Sequence, residues 1–198
     1  RPQCRRHLAQ GQARLERQFK NGLSILANYT YSKSIDLDSA GAGSDENQDA
    51  TNIAADRGLS DFDVRHRFSA SGTYELPFGP GKPWLNGVHG LTRTLIAGWQ
   101  TSAIASMQTG FPLNITASDT SGAGSFTVLR ANRLGDGNLP SDQRTILRWF
   151  DTAAFAAPKP GTFGTSGRKV IIGPGINSWN LSAMKYTSIK ERFNLQFR

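Results

Sequence analysis

The stretch GLSDFDVRHRFSASGTYELPFGPGK, residues 58–82, decides the fold. It opens in a polar, acidic run that closes at Asp61 and Asp63. Phe68, Ala70, Gly72, Tyr74 and Leu76 then fall at every second position, with Arg67, Ser69, Ser71, Thr73 and Glu75 between them. Alternation of this kind gives a strand with one apolar and one polar face. A Pro- and Gly-rich turn, residues 77–83, ends the run. Either a protein core or lipid has to cover the apolar face, and the neighbouring segments choose between them.

Upstream, residues 12–19 form a candidate strand with Ala13, Leu15 and Phe19 on one side and Gln12, Arg14, Glu16 and Gln18 on the other. Lys20-Asn21-Gly22 follows, and Asn-Gly readily takes the positive φ of a tight hairpin turn. Residues 23–34 carry the cleanest alternation: Leu23, Ile25, Ala27, Tyr29 and Tyr31 against Ser24, Asn28, Thr30 and Ser32, with Leu26 the exception. Residues 35–64 then read as a long acidic loop with one helical turn near 53–56. Downstream, residues 84–94 are poorly patterned and lead to a fourth strand over 95–108. A second long loop, 110–177, is dense in turn-forming residues. Within it, Ser141 or Asp142 is placed to cap a short helix over 143–150, with Ile146, Leu147 and Phe150 on its apolar side. A fifth strand over 179–186, a polar turn at 188–191 and a sixth strand of Phe193, Leu195 and Phe197 complete the pattern.

Composition agrees with an all-β chain. Only 19% of residues are charged and 21 are Gly, a balance of short alternating runs and many turns. No run approaches the roughly 18 apolar residues of a membrane-spanning helix. The opening RPQCRRHLAQGQ has positive charge but no apolar signal region. The formal charge of +8 raises a nucleic-acid reading, yet Arg130, Arg133, Arg144, Arg148, Arg168, Lys169 and the other bases never cluster in a block. They are expected to be solvated charges on polar faces and loops, with no nucleic-acid partner. Cys4 is the only cysteine, so an internal disulfide is excluded.

The connections alternate short and long: 20–22, 35–64, 77–83, 110–177, 188–191. Compact water-soluble domains rarely hold structureless loops beyond about 12–15 residues, whereas outer-membrane barrels pair short periplasmic turns with long outer loops. A strand of about 10 residues, tilted about 45°, spans roughly 23 Å, close to the height of such a barrel's apolar band. Tyr29, Tyr31, Phe68, Tyr74 and Phe78 fall where aromatic girdles belong. Arg17 lies on the apolar face but near the short turn, where a basic residue costs about 0–1 kcal/mol. The expected fold is therefore an all-β, antiparallel up-and-down transmembrane β-barrel segment of about six strands, with long extracellular loops and short periplasmic turns. Residues 12–198 are expected to be this partial barrel, with 1–11 left unassigned. Barrels start at about eight strands, so the chain is expected to be an arc of a larger one.

NGLSILANYTYSKSID (21–36), GLSDFDVRHRFSASGTYELPFGPGK (58–82), GWQTSAIASMQTGFPLNI (98–115), RWFDTAAFAAPKPGTFGTSGR (148–168) and GPGINSWNLSAMK (173–185) occur in one order. Together they resemble the Oar-like TonB-dependent receptors from about Gln12 onward. The resemblance implies a 22-stranded barrel closed by an N-terminal plug, capturing an unidentified extracellular ligand and importing it with energy from the TonB complex. The plug, the TonB box and the C-terminal strand are expected to lie outside this sequence, and RPQCRRH does not fit the family pattern. Outer-membrane lipid is the implied surround, and Arg14, Glu16, Arg67 and Glu75 would face the lumen.

Few other motifs carry chemistry. Asp61, Asp63 and His66 in a line fall short of a metal set and are expected to pair with Arg65 and Arg67 at the loop's end. PFGPGKP lacks the spacing of a phosphate loop and has Pro83 where Ser or Thr is required, so it reads as a turn. Asn28, Asn114 and Asn180 head N-x-[ST] triplets and are assigned no role. No G-x-S-x-G elbow places a nucleophile. No enzyme activity, cofactor or metal is expected, and no ligand-binding residue can be named. Two alternatives stay open: a soluble β-rich binding module for carbohydrate or nucleic acid, and an unplugged porin.

Overall fold

The computed structural model describes residues 7–20, 22–39, 48–49, 51–118, 129–189 and 193–197. Its strands, in chain order, are β1 (His7–Lys20), β2 (Leu23–Asp36), β3 (Gly58–Leu59), β4 (His66–Glu75), β5 (Trp99–Gln108), β6 (Pro112–Leu113), β7 (Asn132–Arg133), β8 (Phe155–Ala156), β9 (Ile171–Ile172), β10 (Ile176–Ile189) and β11 (Phe193–Phe197). Among the described residues the α-helix, α1, covers Gly90–Ile96. Among the described residues no helix is long and apolar enough to cross a membrane, which says nothing of crossing by strands.

The long strands form one sheet in the order β1-β2-β4-β5-β10-β11, with β3 added beside β2. Each long strand therefore lies next to its successor, the up-and-down arrangement expected of the alternating segments. The short end is closed by backbone bonds: Glu75 N–H donates to the Gly22 carbonyl at 2.9 Å, and Leu76 N–H to that of Trp99 at 2.9 Å. Gly22 holds the hairpin turn with φ of 81°, a value that only glycine adopts freely. β10 and β11 run antiparallel in the register Lys185↔Phe197 to Ile189↔Phe193.

Several boundaries move. β1 begins at His7 and β2 runs to Asp36, since ladder bonds belong to the backbone and continue past the alternating side chains. The fourth long strand starts at Trp99, because Gly90–Ile96 is helical. The expected helix over 143–150 does not form. Ser141–Gln143 makes a single 3-10 turn, and Thr145 and Arg148 then close a tight turn through mutual backbone bonds of 2.9 and 3.2 Å. Ile146 and Leu147, expected on a packed face, sit fully exposed at its tip. Long-range bonds hold the flanks instead: Trp149 Nε1 donates to the Ile172 carbonyl at 2.7 Å. A short helix with a costly nucleus has no packing here to support it.

The chain divides into two compact units. The stave unit comprises Gln12–Thr30, Arg67–Met107 and Asn177–Arg198. On one face of its sheet Leu23, Ile25, Tyr74, Ala103, Leu181 and Ala183 line a shallow apolar hollow of about 630 Å³. On the other face the Ser102 and Ser182 hydroxyls meet at 2.6 Å. Strand alternation thus separates an apolar from a polar surface, as a stave between lipid and lumen requires.

The loop unit comprises Arg1–Gly11, Tyr31–His66 and Gln108–Ile176. The described parts of its long connections, read from the sequence as loops with one helical turn and one short helix, are folded. Ile53–Asp56 is the 3-10 turn expected there, β6 pairs with β9, and β7 with β8. A small apolar core gathers Ala131, Leu139, Ala154 and Ile171, the last only 1% exposed. Burying an isoleucine this fully stabilises by about 1.5–3 kcal/mol.

Candidate functional site

Ser34 and Asp36 end β2, and β3 returns beside them with Ile35 opposite Leu59 and Asp36 opposite Gly58. This pairing brings the acidic segment around residues 58–63 against the end of β2. Asp63 accepts a hydrogen bond from the Ser34 backbone N–H at 2.6 Å, and the Ser34 and Ser60 hydroxyls meet at 2.8 Å. Arg65 approaches Asp63 at 3.6 Å. The His66 ring leans on Tyr31 with centroids 5.3 Å apart, while its backbone N–H donates to Thr109 Oγ1 at 3.1 Å.

From the second long connection come three buried cations. Arg168 pairs with Asp36, each about 2% exposed, and its Nη2 also donates to the Asp36 carbonyl at 3.1 Å. Gly58 makes this approach possible: a Cβ there would lie 2.6 Å from the Arg168 carbonyl oxygen. Lys169 pairs with Asp61. Its backbone adopts φ of 57°, uncommon for a residue with a side chain, and its N–H is held by Asn114 Oδ1 at 2.9 Å. Arg130 meets Asp56 at 2.6 Å. Gln48 braces this third pair, accepting from the Arg130 backbone N–H at 3.2 Å and donating to the Gly164 carbonyl at 2.8 Å.

Buried pairs of this kind are costly to desolvate and hold only with close geometry. Burial works against ionisation of Asp36. Hydrogen bonds from Ser60, Arg168 and Ser39, together with the Arg168 charge, outweigh it and hold the carboxyl below the ordinary aspartate range. The Arg130–Asp56 pair is satisfied on one edge only. Arg130 Nε and Nη1 and Asp56 Oδ2 are buried with no hydrogen-bond partner, each such atom costing about 1–3 kcal/mol.

Two expectations are corrected here. Arg130, Arg168 and Lys169 are not solvated charges but are buried in ion pairs, because the folded connections bring carboxylates to them from 74 and 132 residues away in the first two cases. Asp61 turns to Lys169 rather than to Arg65 or Arg67, while Asp63 does take Arg65. No spacing in the sequence signals these partners. Among the described residues no group of three or more metal-ligating side chains gathers. Residues 77–83 form the expected turn: Gly79 N–H donates to the Trp84 carbonyl at 3.0 Å, and Trp84 N–H returns a bond to Pro77 at 3.1 Å. Asn28 and Asn180 lie in β2 and β10. Residues 40–47, 50 and 119–128, which belong to the two long loops, lie outside the described residues.

What these features add up to is a lattice that holds two long connections in one arrangement, in a chain whose long strands expose an apolar face. That is the construction of a membrane β-barrel protein with folded loops. The family model for the outer membrane beta barrel domain matches residues 5–198, and the chain belongs to that family. The protein is accordingly one of the bacterial outer membrane. No match was found among curated proteins or among solved structures.

Proposed function

We propose that this chain is part of an Oar-like TonB-dependent receptor that captures a ligand outside the cell and imports it with energy delivered by TonB. The five ordered segments that resemble those receptors support the reading. The observation that carries it is the loop unit: two long connections locked by buried pairs Asp36–Arg168 and Asp56–Arg130 make a pre-shaped outer body rather than loose chain. Pre-organised loops lower the ordering cost of capture. In this reading outer-membrane lipid surrounds the staves, the TonB complex acts through a plug encoded outside these residues, and the chain performs no catalysis and binds no nucleic acid.

The full-length protein tests this directly. Purified, it is expected to bind the isolated C-terminal domain of TonB and to show no steady conductance in a planar bilayer. An open, ohmic channel with no TonB binding would assign an unplugged porin instead. Recovery of the full-length protein from the soluble fraction of cells would overturn the membrane reading altogether.

A further inference from the structure

The connection between β4 and β5 is more than a turn. Residues 77–98 contain no Asp or Glu, yet include Lys82 and Arg93. Their apolar residues are turned outward: Leu91 is 84% exposed, Leu95 69%, Trp84 61% and Leu85 51%. Leu91 and Leu95 stand four apart on α1 and so share one side of it. The helix is bolted to the apolar face of the staves. Lys185 Nζ donates to the Leu95 and Ala97 carbonyls at 2.6 and 3.3 Å and lies 5.1 Å from the centroid of the Trp99 ring, whose Nε1 donates to the Leu95 carbonyl at 2.9 Å. Lys185 follows Leu181 and Ala183 at alternate positions of β10, so all three share that face. Between helix and sheet, Leu76, Phe78, Leu85, Leu95, Ile96 and Trp99 line an apolar hollow of about 330 Å³.

We propose that residues 77–98 form an interfacial anchor that lies in the phospholipid headgroup layer where the staves leave the membrane at their short-turn end. Leu91, Leu95, Trp84 and Leu85 enter the acyl boundary, and Arg93 meets anionic headgroups. Two observations choose lipid over a protein partner. The exposed apolar side continues the lipid-facing band of Leu181, Ala183 and Trp99, and the segment's charge is of one sign, opposite to that of acidic phospholipid. Trp, Leu and Arg or Lys in this combination suit an element lying in the interface rather than across it. A turn facing only water has no use for four large exposed apolar side chains in so short a span.

The experiment uses the full-length protein with its other cysteines replaced, reconstituted into vesicles of phosphatidylcholine and phosphatidylglycerol. A fluorophore is attached at Leu91→Cys, Leu95→Cys or Gly87→Cys, the last with nothing within 4 Å of its added Cβ and hence safe for folding. Asp142→Cys in the loop unit serves as the water-exposed comparison. Labels at 91 and 95 are expected to be quenched at least about five-fold more by a lipid-borne nitroxide, relative to aqueous iodide, than the label at 142. Arg93→Gln should cut the added quenching seen with nitroxide-labelled phosphatidylglycerol about two-fold. Labels at 91, 95 and 87 that follow the one at 142 would overturn the proposal, and so would labels shielded from both quenchers, which would mean a protein cover.

Discussion

The two units of this chain solve opposite burial problems. Among the described residues every buried polar or charged side chain, Asp36, Asp56, Arg130, Arg168 and Lys169 included, belongs to the loop unit. Among its described residues the stave unit buries Ala105 and Met184 but exposes Tyr74, Trp99, Trp179 and Leu181. The loop unit must hold irregular backbone in water without a large core, and it does so with charge pairs and a few aliphatic contacts. The staves satisfy their backbone through the ladder and can leave side chains to lipid. The lesson concerns the solvent: the same alternation that would be an error in a water-soluble sheet is the working surface here.

The sharpest way to break that comparison is to unpair a loop-unit charge. Arg168→Ala strands Asp36 and is expected to destabilise the loop unit by about 3–5 kcal/mol, whereas the double change Asp36→Leu with Arg168→Met should cost far less. Protease cleavage of the folded, membrane-inserted protein in increasing urea would register both. In the staves the opposite manipulation does harm. Leu181→Arg, midway along β10 on the apolar face, should lower barrel stability by about 2–4 kcal/mol; an unchanged refolding midpoint in vesicles would mean that this face does not meet lipid.

Smaller effects sharpen the contrast. Gly58→Ala forces a Cβ to within 2.6 Å of the Arg168 carbonyl oxygen and is expected to cost about 1–3 kcal/mol, read as earlier loop cleavage with the barrel transition unmoved. Acid should act on the same place. The folded pKa of Asp36 is depressed, so its stabilising contribution is complete above the ordinary aspartate value of about 3.9 and declines as pH falls through the lower folded value. Loop proteolysis by an acid protease should therefore accelerate below about pH 4, and Asp36→Asn should flatten that rise. At the small end, Ile146→Asn at the exposed turn tip should change stability by no more than about 0.5 kcal/mol. A larger loss would show that this tip is covered in the intact protein.

How much of this could be read from residues alone follows from how far apart the interacting groups are. The staves were legible because a strand writes its two faces into neighbouring letters: Leu23, Ile25, Ala27 and Tyr29 alternate with polar residues over a short span. Lys20-Asn21-Gly22 was legible because turn chemistry is local. The helix Gly90–Ile96 was missed because its exposed Leu91 and Leu95 carry no core-facing periodicity, and the helix over 143–150 was expected because Ile146, Leu147 and Phe150 imitate one. Asp36 and Arg168, 132 residues apart, offered no signal at all.

Sequence by itself thus determined the kind of sheet, the order of its long strands and the environment of their apolar face, since each rests on period, turn residues and loop length. Only the tertiary structure decided that the long connections are a folded body, that Arg130, Arg168 and Lys169 are buried, and that residues 77–98 turn their apolar side outward. These depend on which distant segments meet. A charge in water and a charge in a buried pair are spelled with the same letter, and only the fold supplies the partner that makes burial affordable.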